Sequence, residues 1–168
     1  MSNFNKWNAI VGHGGINAEA GIIAGVCVMR EGEAKGHGVS LDSGSLESFL
    51  ALTKNRPDGV GVRFGADHQA GAQDFTGTLK GFKIEGGVLR ADLHLLKADL
   101  NFNKIVEMAA KMPNEFGLSA STEAEKDGKE FKNPIRFTEI NCVDIVTNPA
   151  TTTGLFFDQN HNKNQNMK

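Results

Sequence analysis

The sequence predicts an α+β domain, mainly antiparallel sheet with two helices. Three observations carry that expectation. Short apolar runs of β type recur along most of the chain. Glycine is unusually frequent, at 20 of 168 residues, and most of it falls between or inside those runs, where it permits turns, bulges and close backbone approach. Only two segments repeat apolar residues at helical spacing. A chain of 168 residues suits one domain with its own core.

The first twenty residues, with Gly-His-Gly-Gly at 12–15, show no clear period and are expected to be partly mobile. Gly21 to Arg30 reads as a buried strand. A turn around Glu31-Gly32-Glu33 and a second strand over Ala34–Leu41 would complete a hairpin. Asp42 or Ser43 can cap a helix from Ser45 to about Asn55, which Pro57-Asp58-Gly59 closes. Strands then follow at Val60–His68, Phe75–Ile84 and Val88–Leu96. Glu85-Gly86-Gly87 is a hairpin turn, because adjacent glycines accept the positive φ angles it demands. Leu89, Ala91, Leu93 and Leu95 alternate with Val88, Arg90, Asp92 and His94, which predicts one buried face and one wetter face.

Lys97 to Met112 is the clearest helix, with Leu100, Ile105, Met108, Ala109 and Met112 on one side and Pro113 as the stop. Phe116–Ala124 and Ile135–Thr147 read as two more strands around the charged loop Glu125 to Lys132. Asp158 to Lys168, rich in Asn and Lys, is expected to be a disordered tail. The division is thus an N-terminal segment 1–20, a domain 21–157 and a tail 158–168.

Composition narrows the function classes. A formal net charge of −2 argues against a nucleic-acid partner. No basic segment precedes a long apolar one, and no run of 18 apolar residues occurs, so neither export nor a membrane partner is expected. Cys27 and Cys142 sit in apolar β-like runs without metal-ligand spacing, which favours buried reduced thiols over a zinc site or a disulfide. No cofactor is expected. One Trp, no Tyr and no aromatic cluster speak against a sugar-stacking module.

Three positions stand out chemically. His68 would end a strand and open a polar loop, Gln69 to Asp74, where an imidazole titrating near neutral pH serves as general base. Histidines in loops are also commonly incidental. Ser119 follows a helix, a turn and Gly117, and its small neighbours leave room for a substrate backbone; Ser121 points to the same face by alternation and shares the candidacy. Asp144 shares a predicted strand face with Ile140, Cys142 and Val146, and a carboxylate there costs several kcal/mol unless partnered. Orienting a histidine would satisfy it, as would Arg136, Arg90 or backbone N–H groups. Among the other histidines His94, on the wetter face of its strand, is the reserve candidate.

The order of these features resembles the prohead (capsid-maturation) serine protease family of tailed phages. SLDSGSLESFLAL, VGVRFGADH and GTLKGFKIEGGVLRADLHLL are similar to the family's strand and helix, its histidine strand and its glycine-rich hairpin. FGLSAST resembles the nucleophile strand "glSiG", and INCVDIVTNPATT the closing "evSlVtnPAn" strand. The likeness spans about Val39 to Leu155. It departs from the family where Gln69 replaces the acidic residue usual after the histidine, where Ser121 replaces a glycine, and where Asp144 replaces a small residue that is often serine.

The resemblance implies a bent antiparallel β-barrel of the herpesvirus assemblin type, flanked by two or more helices. It implies catalysis by Ser119 as nucleophile and His68 as base, with Asp144 as the third member. The oxyanion would be met by backbone N–H groups near Ser119 or by Arg136. The implied partners are the capsid scaffold, the major capsid protein and further copies of the chain itself, inside an assembling procapsid in the host bacterial cytoplasm. The alternative is a non-catalytic phage assembly protein of the same fold, related to tail tubes.

Overall fold

The alternating apolar runs assemble into one seven-stranded sheet. The structure, a computed structural model, describes residues 15–65 and 71–156. The sheet comprises β1 (Gly15–Asn17), β2 (Ile22–Arg30), β5 (Val60–Arg63), β6 (Phe75–Glu85), β7 (Val88–Leu95), β8 (Gly117–Ala124) and β11 (Phe137–Val146). Two small hairpins stand beside it, β3 (Gly32–Ala34) with β4 (Val39–Leu41) and β9 (Lys126–Asp127) with β10 (Glu130–Phe131). The helices are α1 (Ser43–Thr53) and α2 (Phe102–Lys111). Strand order is β1-β2-β7-β6-β5-β11-β8, antiparallel throughout except that β11 runs parallel to β5.

The mixed α+β class and the meander β5-β6-β7 follow the expectation, including the tight turn at Gly86-Gly87. The core face of β7 is as the alternation requires, with Leu89, Ala91, Leu93 and Leu95 buried. From α1, Leu46 and Phe49 enter the same core, and the Phe49 ring meets Phe82 and Phe137 at centroid distances of 5.9 and 5.6 Å. Asp42 caps α1: its carboxylate accepts from the Ser45 N–H, and the Ser45 hydroxyl returns the contact to the Asp42 N–H.

Three expectations need correction. Residues 34–41 do not pair with β2. Register with β7 continues to Arg30↔Val88 and the Glu31 N–H donates to the Gly87 carbonyl; the chain bends at Glu31 and reverses at 35–38, where Gly36 and Gly38 take positive φ, so that residues 32–34 pair with 39–41. The second helix begins at Phe102 rather than Lys97. Residues 97–101 form turns instead, where the Asp99 carboxylate accepts from the Thr76 hydroxyl and Leu100 is left 99% exposed instead of buried. β5 ends at Arg63, so the predicted strand end at His68 lies outside the described residues, as do segment 1–14 and tail 158–168. Within the stretch read as lacking a period, β1 pairs with β2.

β8 forms one edge of the sheet and runs with Cα atoms within 8 Å of β2, yet no ladder joins the two among the described residues. Residues 149–156 bridge them instead. The Cys27 N–H of β2 donates to the Leu155 carbonyl, and the Leu155 N–H donates to Pro113, before β8. Arg30 Nε reaches the Thr151 carbonyl and the Lys35 N–H that of Ala150. Both cysteines are free and buried, and burial pushes the Cys27 thiol up to about 12.

Candidate active site

Ser119 is placed by what precedes it. After α2, the turn through Pro113 and the buried Phe116 lead into β8 at Gly117. A Cβ at Gly117 would lie 2.9 Å from Pro149, so only glycine lets the 149–152 segment close against this strand. Two residues on, Ser119 stands directly opposite Asp144 of β11, and Ser121 opposite Cys142. Side chains so paired have Cβ atoms about 4.5–5.5 Å apart on one face. The opposite face of the same strands carries Leu118, Val143 and Ile145 into the core.

A bulge in β11 sets this facing. Register slips between Ile140 and Cys142, and Arg56 binds the carbonyls on either side of the slip, Ile140 at 2.7 Å and Asn141 at 3.3 Å. Ile140 therefore joins the core cluster and does not share a face with Asp144, which corrects the strict alternation expected from the sequence.

Asp144 is buried, and its partner is neither Arg136 nor Arg90. Arg63 on the adjacent parallel strand is its register neighbour and binds it through both carboxylate oxygens, Nε to Oδ1 at 2.9 Å and Nη2 to Oδ2 at 3.2 Å. The side chains are only 15% and 8% exposed, so this is a sheltered, forked ion pair. The carboxylate in turn holds the Arg63 guanidinium above its ordinary value. Ser119, Asp144 and Arg63 thus form a row across β8, β11 and β5. Burial, and then the Asp144 charge, raise the neighbouring Cys142 thiol and keep it in its protonated, non-nucleophilic form.

Directly after Arg63 the chain leaves in a loop whose ends are pinned together. The Phe64 N–H donates to the Asp74 carbonyl at 2.9 Å, and the Asp74 carboxylate accepts from the Gly71 N–H. His68 follows Arg63 by five positions in the sequence and falls outside the described residues.

Along the free edge of β8 runs a groove of about 380 Å³, walled by Val28 and Met29 of β2, Val39 and Leu41 of β4, and Phe131 and Phe137. Ser119 and Ser121 border it, as does His37, between Gly36 and Gly38. Two other expected roles fail on geometry. Arg136 is bound to Asp42 and lies eight residues from Asp144 along β11, roughly 25 Å at strand rise, too far to meet an oxyanion at Ser119. His94 sits on β7, opposite Ile22 of β2 and Thr78 of β6, and is not among the residues that line this groove.

Sequence reasoning missed Arg63. The alternation Val60-Gly61-Val62-Arg63 was signal enough to place it opposite the core face, but nothing local paired β5 with β11. No group of three His, Cys, Asp or Glu side chains among the described residues is arranged to hold a metal ion, and no helix among them is long and apolar enough to cross a membrane. Comparisons with protein-family models, curated proteins and solved structures return no match.

Proposed function

We propose that this chain is a serine endopeptidase of the procapsid-maturation type, with Ser119 as nucleophile, His68 as general base and Asp144 as the carboxylate that holds the imidazole. The observation that carries the reading is the row itself. A small-flanked serine on an edge strand faces a buried carboxylate, beside a groove that an extended peptide can enter. Asp144 has room for this role despite its partner. A carboxylate offers about four lone-pair sites, and the Arg63 fork takes one on each oxygen.

In the reaction His68 takes the Ser119 proton as Oγ attacks the scissile carbonyl, and the acyl-enzyme forms as His68 protonates the leaving amine. Water then attacks the ester and releases the acid. Scaffold protein, the major capsid protein and the chain's own ends are the proposed substrates, and the assembling procapsid in the bacterial cytoplasm the place of action. The bent-barrel arrangement of the assemblins is supported by the return of β8 beside β2.

One observation favours the second reading, a non-catalytic assembly protein of the same fold. Arg63 gives the charge of Asp144 a partner that is not a histidine. The deciding experiment is mass spectrometry of the chain incubated with its capsid and scaffold proteins, with Ser119→Ala and Ser121→Ala beside the wild type. The proposal expects cleavage by wild type and Ser121→Ala and none by Ser119→Ala. Co-assembly without cleavage by any of the three would replace it with the structural reading.

A further inference from the structure

We infer that the groove beside β8 takes an extended peptide as an added strand on the free β8 edge, with uncharged, apolar side chains at the alternate positions that turn inward. The inference builds on the peptide groove of the proposed protease and names the class of segment it admits. It does not require that the segment be cut. Its basis is the pairing of the strands. β8 ends the sheet, with β11 on one edge and no strand on the other among the described residues. Residues 118–122 all line the groove, although successive side chains of a strand point to opposite faces. A cleft that touches both sets runs along the backbone edge, where unpaired N–H and C=O groups form a template for another strand. Val28 and Met29 of β2 supply the far wall, beyond the stretch from Ile22 to Ala24 that β1 pairs. Main-chain hydrogen bonds already bridge part of this seam. The Cys27 N–H donates to the Leu155 carbonyl and the Lys35 N–H to that of Ala150, and the groove continues from Ala150 and Thr151.

The wall sets the chemistry of the segment. Charged residues make up 23% of the chain, yet no Asp, Glu, Lys or Arg lines the groove. Val28, Leu41, Leu118 and Ile135 bring the core to its inner side, where a charge on the peptide would meet no counter-ion. The volume of about 380 Å³ falls within the roughly 300–1,000 Å³ of ligand sites. Backbone pairing with β8 would hold the segment whatever its outward side chains, and the apolar wall would select every second one.

Amide hydrogen exchange read by NMR tests this in the Ser119→Ala chain, which would leave a bound peptide intact. The probe is a pool of end-capped heptapeptides with threonine at odd positions and alanine, valine, leucine or phenylalanine at even ones. A control pool carries glutamate or lysine at the even positions. The first pool should slow alternate amides within 118–122 at least about tenfold, since only every second N–H of an edge strand points outward. The control pool should slow none of them more than about twofold. Val39→Glu puts a charge in the wall and should abolish the protection. Should that variant fail to fold, Phe131→Ser, at a side chain 48% exposed, should cut the protection at least about threefold. Equal protection by both pools, or none by either, would overturn the inference. So would protection that needs no peptide and grows with protein concentration, which would place a second copy on the edge. The protease reading fails separately. Protection by the first pool, with no cleavage of peptides or capsid proteins by the wild type, would keep the added strand and remove the hydrolysis; cleavage without protection would remove the added strand alone.

Discussion

Two arginine–aspartate pairs sit at opposite ends of β11, built alike and placed differently. Arg136, just before the strand, forks onto Asp42 at 2.7 and 3.1 Å; Arg63 forks onto Asp144 near its other end at 2.9 and 3.2 Å. The first pair is 36% and 43% exposed, the second 15% and 8%. In the exposed pair water competes for both charges, and Asp42 has separate work as the cap of α1. In the sheltered pair neither charge has an equivalent solvent to fall back on, so each obliges the other to stay. Equal geometry therefore does not mean equal consequence. Burial decides which pair is reinforcement and which is requirement.

The largest effect should come from unpairing the sheltered site. Arg63→Met leaves the Asp144 carboxylate buried and uncompensated and should cost about 3 kcal/mol in chemical denaturation, with most of it recovered in the Arg63→Met/Asp144→Leu double variant. A single variant as stable as wild type would erase the contrast between the two pairs. Asp42→Ala should lower the melting temperature by less, through loss of the α1 cap, and Asp42→Ser should restore most of it. An equal drop for Ala and Ser would show that the cap is not what Asp42 contributes.

Acid sharpens the same comparison. The Arg136 fork, and then the Ser45 N–H, hold the Asp42 carboxyl down at about 2, below its ordinary 3.8. A depressed carboxyl stabilises the fold above its unfolded value and loses that contribution as pH falls through the folded one. Asp42→Asn should thus be less stable than wild type above about pH 4 and converge with it toward pH 2. A gap constant across that window in thermal melts would contradict the assignment. Smallest of all is the exposed Lys111–Glu107 contact on α2, where Lys111→Ala should leave the melting temperature unchanged within error.

Where local chemistry is strong, these elements were legible in the sequence. Asp42 or Ser43 was legible as the cap of α1, and the structure uses Asp42; Gly86-Gly87 marked the β6–β7 turn. Alternation through β7 identified its buried leucines. The site was legible in part: Ser119 and Asp144 stood out by flanking residues and by a charge on an apolar run. Their facing each other was not legible, because it depends on which of seven strands become neighbours. The start of α2 was not legible either: residues 97–101 turn, with the Asp99 carboxylate bonded to Thr76, 23 residues away.

By itself, then, the sequence determined the α+β class, the β6–β7 turn, a cap for the first helix at Asp42 or Ser43 and the residue types from which a site can be made. Those follow from backbone φ preferences, capping and period, which act within a few residues. Only the tertiary structure decided that β11 would run parallel to β5, that a bulge held by Arg56 would turn Ile140 into the core, and that Arg63 would be the partner of Asp144. Pairing of strands 81 residues apart is set by how the whole core closes, and no local propensity encodes it.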